Sequence, residues 1–151
     1  MLEFEEKSQP GGQVHTTLTL ALEQRIKSRM KVTLDDGRKA GLFFEKGVSF
    51  QDGDLIISTD RKVLVEIKAA CELLSVVYCN TPLLLARASY HLGNRHVPLQ
   101  IGEGVLRYQH DHVLDEMLGC LGLKVQTELT PFQPEAGAYI GAGHVHHPGH
   151  D

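Results

Sequence analysis

Hydrophobic and polar residues alternate along the first half of the chain, from Val14 to about Ala70. A period of two is typical of β-strands, in which every second side chain points to the same face. On the first predicted strand the residues that share one face are Val14, Thr16, Leu18, Leu20 and Leu22. The pattern therefore predicts an N-terminal all-β domain.

Turn sequences divide the rest of this half into further strands. Asp35-Asp36-Gly37 predicts a hairpin turn, and the segment 51–54 predicts a second turn. The basic segment 25–29 is interpreted either as a partner surface or as a solvated edge. The predicted strands around these turns are residues 32–34, 40–44, 55–57 and 63–67.

The pattern changes after residue 72, where helical and extended segments alternate in the order strand, helix, strand, strand, helix, strand. The predicted segments are residues 73–78, 81–92, 99–101, 105–108, 111–121 and 123–129. This order is typical of the ferredoxin-like βαββαβ arrangement, a four-stranded antiparallel sheet with two helices on one face. The uncovered face or an edge is then free for a second subunit, so the pattern favours a homodimer.

Proline and glycine dominate after Thr130, and bulky apolar residues are scarce there. Such a composition predicts a flexible tail. The whole chain is therefore predicted to be an α+β protein. Its predicted parts are an N-terminal β domain (1–71), a ferredoxin-like domain (72–130) and a His-rich tail (131–151).

Composition excludes several classes of protein. With 151 residues, of which 42% are hydrophobic, the chain can form one domain or two small ones with cores of their own. A net charge of -4, with acidic and basic residues interspersed along the chain, argues against nucleic acid as a partner. The N-terminus lacks the basic start and long apolar run of a signal peptide, and no apolar stretch is long enough to span a membrane, so we expect a cytoplasmic protein.

The three cysteines are Cys71, Cys79 and Cys120. Their number is odd and their spacing is not that of a zinc finger, which favours reduced thiols over disulfides. We interpret Cys71 and Cys79 mainly as packing residues. Cys79, just before the predicted helix at residue 81, is also a minor candidate for an auxiliary soft metal ligand.

Histidine is the residue type that points to chemistry. The chain ends with four imidazoles and the Asp151 carboxylate within eight residues, and interruptions by Val, Pro and Gly distinguish the segment from a cloned purification tag. Clustered imidazoles predict metal binding by this tail. The tail histidines are His144, His146, His147 and His150.

Three histidines of the predicted folded part are further candidates. We expect Gly93 and Asn94 to end the helix that starts at residue 81, which puts His96 just beyond its end. A neutral imidazole binds nickel, copper or zinc. His110 and His112 are two residues apart and lie on one side of a strand, together with Tyr108, if that strand continues far enough. We interpret His15 and His91 as structural or exposed.

One imidazole does not hold a divalent ion tightly, and His96 has no neighbouring ligand in sequence. In a twofold dimer a residue near the axis meets its own copy, so two His96 side chains can share one ion, with His110 or His112 completing the site. Such a site is open to water, as a carrier requires, whereas structural zinc is closed off by four protein ligands.

The chain resembles the UreE family of urease accessory proteins over essentially its whole length. The resemblance rests on the basic segment 25–29 with the segment 32–37, on Tyr90-His91-Leu92-Gly93-Asn94-Arg95-His96, and on the His-rich tail. Within this context Gly-Asn-Arg-His is the most specific motif.

The resemblance implies a nickel metallochaperone, with an N-terminal β domain comparable to a chaperone peptide-binding domain and homodimers formed through the ferredoxin-like domain. It implies Ni(II) as cargo, bound by His96 at the dimer interface. His110 and His112 match a less uniform feature of the family. It also implies delivery to the urease apoprotein together with UreD, UreF and the GTPase UreG.

Two other functions remain open. A metal-dependent hydrolase would need a positioned base and a substrate pocket, but no His-Glu-x-x-His pattern or nucleophile elbow occurs, and Glu103 is more simply a turn residue. A nickel-storage or sensor protein would use the tail as its main functional element. Cu(II) or Zn(II) can also bind in vitro, because Cu(II) forms tighter complexes than Ni(II) with nitrogen and oxygen ligands.

Overall fold

The computed structural model describes residues 1–136, and the chain divides into two compact units, with the boundary between Ala70 and Cys71. The predicted tail ligands His144, His146, His147 and His150 lie outside the described residues. Within residues 1–136 no helix has the length and apolar character needed to cross a membrane.

The first unit is a six-stranded mixed sheet with one short helix. Its sheet order is β2-β6-β5-β1-β4-β3, and the pairs β1–β4 and β2–β6 are parallel. Buried side chains from every strand form its core, with Phe4, Leu42 and Ile56 fully enclosed. The elements are β1 (Leu2–Lys7), β2 (Thr16–Leu20), α1 (Leu22–Arg25), β3 (Arg29–Thr33), β4 (Lys39–Phe43), β5 (Leu55–Ser58) and β6 (Leu64–Ala69).

The predicted hairpin is present, since β3 and β4 are antiparallel and Gly37, between them, has a φ of 97°. Two details of the prediction were wrong. The first strand begins at Leu2, before the region in which strands were predicted. The pattern missed it because this strand is stabilised by pairing with distant residues, such as Ser58 and Leu42 on either side of Phe4. The strand that was predicted to run to Leu22 ends at Leu20, and Leu22 instead begins α1.

Arg25 belongs to neither of the two interpretations given for the basic segment. Its side chain is 2% exposed, and its Nε donates a hydrogen bond to the Leu20 carbonyl at 3.1 Å. The short helix α1 turns this residue inward, while Lys27 and Arg29 remain exposed. Arg25 is therefore not available to solvent or a partner, whereas Lys27 and Arg29 are.

Asp35 closes the edge of β2. Its N–H donates to the Thr17 carbonyl at 2.9 Å, and its Oδ2 accepts from the Thr17 and Thr19 hydroxyls at 2.6 and 2.7 Å. Burial acts to raise the pKa of Asp35, but the hydrogen bonds from Thr17 and Thr19 outweigh it, so the pKa lies below its ordinary value. An edge strand that is satisfied in this way is protected from pairing with another chain.

The second unit contains one four-stranded antiparallel sheet and two helices. The sheet order is β10-β7-β9-β8, and the order of elements along the chain is the predicted one. The elements are β7 (Cys71–Tyr78), α2 (Pro82–Gly93), β8 (Gln100–Gly102), β9 (Val105–Gln109), α3 (His112–Cys120) and β10 (Val125–Pro131).

Both helices of this unit pack on the sheet through one apolar core. From α2 this core contains Ala88 and Leu92, and from α3 it contains Leu114 and Leu118. The sheet contributes side chains such as Val77, Leu106 and Tyr108. Because this packing holds α3 against β7 and β9, it also determines which polar side chains meet at the start of α3.

Candidate functional site

His96 lies in the turn that follows α2, but the helix ends differently from the prediction. Gly93 is the last helical residue, and Asn94 has a φ of -66°, so neither takes the left-handed conformation. The turn continues, with the His96 N–H donating to the Gly93 carbonyl at 3.0 Å, and the left-handed residue is His96 itself, with a φ of 58°. A side chain at such a φ costs roughly 1 kcal/mol, so this backbone is strained at the motif histidine.

The His96 side chain is exposed. The preceding helix also shows solvent two large apolar residues seven positions apart, with Leu83 58% and Tyr90 68% exposed. Residues at this spacing lie on the same face of a helix. Exposed apolar side chains therefore stand on the helix that leads to His96.

His110 and His112 come together at the junction between β9 and α3. The strand ends at Gln109, before both histidines, and His112 is the first residue of the helix. The continuous strand on which the prediction depended is therefore absent. The two rings are nevertheless adjacent, with centroids 5.3 Å apart.

Asp115 joins these two histidines. It follows His112 by three residues on α3, and residues at that spacing lie on one face of a helix. One potential ligand atom from each of His110, His112 and Asp115 lies within 4.8 Å of the others. In the described part of the chain this is the one group of three such side chains. Two imidazoles suit borderline divalent ions such as nickel, and a carboxylate beside them can either bind the ion or hydrogen-bond to one of the rings.

The helix cap at Asp111 shapes the junction. Asp111 has an extended backbone, and its Oδ1 accepts hydrogen bonds from the N–H groups of Val113 at 2.9 Å and Leu114 at 3.0 Å. An aspartate in this position satisfies helix N–H groups that have no partner within the helix. The cap thereby fixes where α3 starts and which way His112 leaves the helix.

Two buried hydroxyl groups hold the Asp115 carboxylate from below. Ser75 Oγ donates to Asp115 Oδ1 at 2.7 Å, and the Tyr108 hydroxyl donates to the same oxygen at 2.6 Å. Both residues are fully buried. His110 Nδ1 lies 3.1 Å from Ser75 Oγ and 3.4 Å from Asp115 Oδ2.

The chemistry of two neighbouring groups follows from burial. Burial, followed by the hydrogen bond to Asp115, raises the pKa of Tyr108 far above its ordinary value, so the phenol keeps its proton and remains a donor. Burial also raises the pKa of the Cys79 thiol. Because the thiolate is the metal-binding form, this shift disfavours Cys79 as an auxiliary ligand.

The structure adds three residues that the sequence interpretation missed in this role. Asp115 had a detectable signal, namely a carboxylate three residues after a histidine in a predicted helix. Ser75 had none, because it reaches the site from another strand 40 residues earlier. The sequence predicted Tyr108 on the same side of its strand as His110 and His112. In the structure it is fully buried and donates a hydrogen bond to the Asp115 carboxylate.

His15 and His91 are not members of this group. His15 Nδ1 accepts a hydrogen bond from the Leu64 N–H at 3.0 Å, and the His91 ring packs edge-on against Tyr90 with centroids 5.3 Å apart. Both therefore have structural contacts.

The chain matches two family models that together cover nearly all of it. Residues 3–70 match the model described as UreE urease accessory protein, N-terminal domain. Residues 72–151 match the model of the C-terminal domain of the same protein.

Several individual proteins are similar to this chain, and each is named Urease accessory protein UreE. The relative from Pseudomonas putida (strain GB-1) is 57% identical over 133 residues, which cover 88% of this chain and 81% of the relative. The one from Citrobacter koseri is 51% identical over 150 residues, covering 99% of each. A relative from Escherichia coli O157:H7 is 48% identical over 146 residues, covering 97% of this chain and 95% of its own.

Proposed function

Because the chain belongs to the UreE family of urease accessory proteins, which act in urease maturation and are not enzymes, we propose that it is a nickel metallochaperone. It binds Ni(II) as cargo and delivers it to the urease apoprotein. The observation that carries this proposal is the convergence of His110, His112 and Asp115 on one point at the start of α3.

The first proposed nickel site contains His96 and requires a second copy of the chain. An exposed imidazole without two further ligands in the described residues cannot hold nickel tightly by itself. A homodimer with its twofold axis close to His96 supplies the second imidazole. The exposed Leu83 and Tyr90 on the helix leading to this residue support such an interface, because burying them against their copies is favourable.

The second proposed site is built within one chain from His110 and His112. Its partial exposure leaves coordination positions for water or for a ligand of the acceptor. A site that is not closed by four protein ligands suits a carrier, because the ion can leave by ligand exchange.

The tail histidines His144, His146, His147 and His150 are proposed as a reservoir of further ligands. The proposal also assigns partner binding to residues 1–71, and metal binding and dimerisation to a ferredoxin-like domain at residues 72–130. The partners are the urease apoprotein and the accessory proteins UreD, UreF and UreG. We propose that nickel binding and delivery take place in the cytoplasm, where the three free thiols remain reduced.

Metal transfer to urease tests this function. Purified nickel-loaded protein is mixed with the urease apoprotein complex in the presence of a chelator that removes free nickel, and urease activity is measured over time. We expect activation to exceed that produced by the same amount of nickel salt under the same chelator. Equal activation by both would contradict delivery and would favour storage, for which the His-rich tail is the supporting observation.

The proposed interface has its own test. We expect Leu83→Asp together with Tyr90→Asp to convert the dimer to a monomer in analytical ultracentrifugation, because two charges would be buried at the interface. Lys124→Asp is the control, because it makes the same change of two charges at an exposed position of the same unit that lies outside α2. A wild-type chain that sediments as a monomer would contradict the shared His96 site.

A further inference from the structure

The Asp115 carboxylate is bound unequally at its two oxygens. Oδ1 accepts both hydroxyl hydrogen bonds, from Ser75 at 2.7 Å and from Tyr108 at 2.6 Å. Oδ2 faces the His110 ring, 3.4 Å from Nδ1. The residues that carry the two hydroxyl groups are fully buried, so water cannot replace Asp115 as their hydrogen-bond acceptor. The carboxylate is thus held from behind and presents one oxygen to the histidine.

The hydroxyl protons determine how His110 is protonated. A serine hydroxyl has one proton, and the proton of Ser75 is directed to Asp115. The contact of 3.1 Å between Ser75 Oγ and His110 Nδ1 therefore needs its proton from the imidazole. With no proton between them, two lone pairs would face each other at this distance. His110 Nδ1 is consequently the protonated nitrogen, and it donates towards Ser75 and Asp115.

We propose that Ser75, Tyr108 and Asp115 are positioning residues that hold His110 with its proton on Nδ1 and its Nε2 lone pair free for the metal ion. This inference rests on the proposed nickel function, because it assigns the orientation of one of the proposed ligands. Nickel then binds His110 through Nε2, with His112 beside it, and Asp115 acts through His110.

The arrangement matters for affinity because a metal-binding histidine must present the correct nitrogen. A carboxylate behind the ring fixes its orientation and makes the ligating nitrogen more basic. Losing such an outer partner typically weakens metal binding by about 10- to 100-fold. His112 is hydrogen-bonded to none of these three groups in the described structure, so His110 is the ligand that the network orients.

The first test reads the tautomer directly in the metal-free, full-length protein. Nitrogen-15 NMR of the imidazole rings at pH 8, with His110 assigned through a His110→Gln variant, distinguishes protonation on Nδ1 from protonation on Nε2. We expect Nδ1–H for His110 in the wild type and a mixture of both forms in Ser75→Ala. An Nε2–H tautomer in the wild type would overturn the proposal.

The second test measures nickel affinity by calorimetry. The parent is the full-length chain with His96 and the four tail histidines replaced by Ala, so that His110 and His112 remain. We expect Asp115→Asn and Ser75→Ala each to weaken binding at least about tenfold. Glu116→Gln is the matched control, because it removes the same charge from the adjacent exposed position. Its affinity should stay within about twofold of the parent, since a solvent-exposed charge interacts weakly with the site.

Folding is separated from positioning by Tyr108→Phe and by circular dichroism. The phenylalanine keeps the buried ring but loses the donor to Asp115, so the far-UV spectrum should remain that of the parent while nickel affinity falls. Parent-like affinity in both Asp115→Asn and Ser75→Ala, with folded spectra, would contradict the network. Wild-type protein that binds no nickel in the same titration would instead contradict the proposed function, while the tautomer measurement would still stand.

Discussion

His96 and His110 differ in how their surroundings hold them. His96 lies in a turn that fixes its backbone at a φ of 58°, but its exposed imidazole is not held in one orientation by the rest of the chain. His110 lies against Ser75 and Asp115, so its ring is specified by hydrogen bonds. We therefore expect the first residue to depend on a second chain for its orientation and the second to be oriented within one chain.

His96→Ala should remove the proposed site at the dimer interface while the dimer and the fold persist. The side chain is exposed, so its loss costs little packing energy. We expect nickel affinity at this site to fall at least about tenfold, because losing even a hydrogen-bond partner of a metal ligand weakens binding by about 10- to 100-fold. Urease activation should fall with it. Equilibrium dialysis of nickel and a urease activation assay measure the two effects.

Two control variants accompany this measurement. His15→Ala removes an imidazole of the first unit, whose Nδ1 accepts a hydrogen bond from the Leu64 N–H, and should leave nickel binding unchanged. His96→Gly removes the same ligand but relieves the left-handed backbone, so its free energy of unfolding should exceed that of His96→Ala by about 1 kcal/mol. Unchanged tight binding in His96→Ala would assign the site to His110 and His112.

Asp35 should contribute to stability in a pH-dependent way. Its pKa is lower in the folded protein than its ordinary value, since the hydrogen bonds from Thr17 and Thr19 favour the charged form. A carboxyl group with a depressed folded pKa stabilises the fold above its unfolded pKa, about 3.9, and loses this contribution as the pH falls through the folded pKa. Stability should therefore decline below about pH 4.

Asp35→Asn should remove that acid dependence and lower the free energy of unfolding at pH 7 by about 1 kcal/mol. Urea unfolding at pH 7 and at pH 3 measures both. Glu5→Gln is the control, because it removes a carboxylate charge from an exposed position on β1 of the same unit. A wild type and an Asp35→Asn variant that lose stability equally between the two pH values would contradict the role of Asp35.

At the scale of elements, the start of α3 is the junction on which the site depends. The strand before it ends at Gln109, the cap is Asp111, and the first helical residue is His112. The apolar face of the helix is anchored by Leu114 and Leu118 in the core. A shift of α3 by one residue in its register against the core would rotate Asp115 by about 100° around the helix axis and move it away from His110.

Asp111→Ala should destabilise the second unit through the loss of this cap. The Val113 and Leu114 N–H groups would lose their acceptor, which costs about 1 kcal/mol in the free energy of unfolding. Asp111→Asn should be nearly neutral, because asparagine caps helices about as well as aspartate. Thermal unfolding followed by circular dichroism compares the two. Equal loss in both variants would mean that the charge, rather than the cap, matters.

At the scale of the molecule, the chain has two units. The first is a mixed β-sheet unit, and the second contains all the described site residues. The proposed ligands are imidazoles throughout, from His96 to His150. Whole-molecule nickel binding should therefore follow the chemistry of histidine. Two consequences can be measured on the intact protein.

Bound nickel should decrease as the pH falls through about 6.5, the ordinary histidine value, because protons and nickel compete for the same nitrogens. The full-length protein is dialysed against limiting nickel at several pH values, and the metal content is measured. At pH 5 we expect most of the nickel to have been released. Retention of most of it at that pH would indicate ligation by carboxylates or thiolates instead.

Replacing the four tail histidines by Ala in the full-length chain should lower the number of nickel ions bound per dimer. The folded units are unchanged, so urease activation at plentiful nickel should be retained. Activation at scarce nickel should fall, because tethered ligands raise the local concentration of nickel near the delivery site. A chain ended after Gly143 should behave in the same way. Failure of either form at plentiful nickel would place the tail in the transfer step itself.

Local patterns in the sequence were sufficient for much of this protein. The order of elements in the second unit, the hairpin turn at Gly37 and the start of the last helix near residue 111 follow from periodicity and from residues with specific turn geometry. Such features depend on residues within a few positions of each other, so one sequence contains the information needed to predict them. The patterns also led us to expect His110 and His112 on one side of a continuing strand, but the strand ends before both, and their rings are adjacent across the junction with α3 instead.

Tertiary structure alone decided the pairing of β1 with β4 and β5, the burial of Arg25, and the contact of Ser75 with Asp115. Ser75 and Asp115 are 40 residues apart, and no period or spacing relates them. They meet because the apolar face of α3 packs on the sheet and brings a polar residue of the helix over one of β7. Long-range packing of this kind depends on the whole core, and it turns two adjacent histidines into a site with a defined orientation.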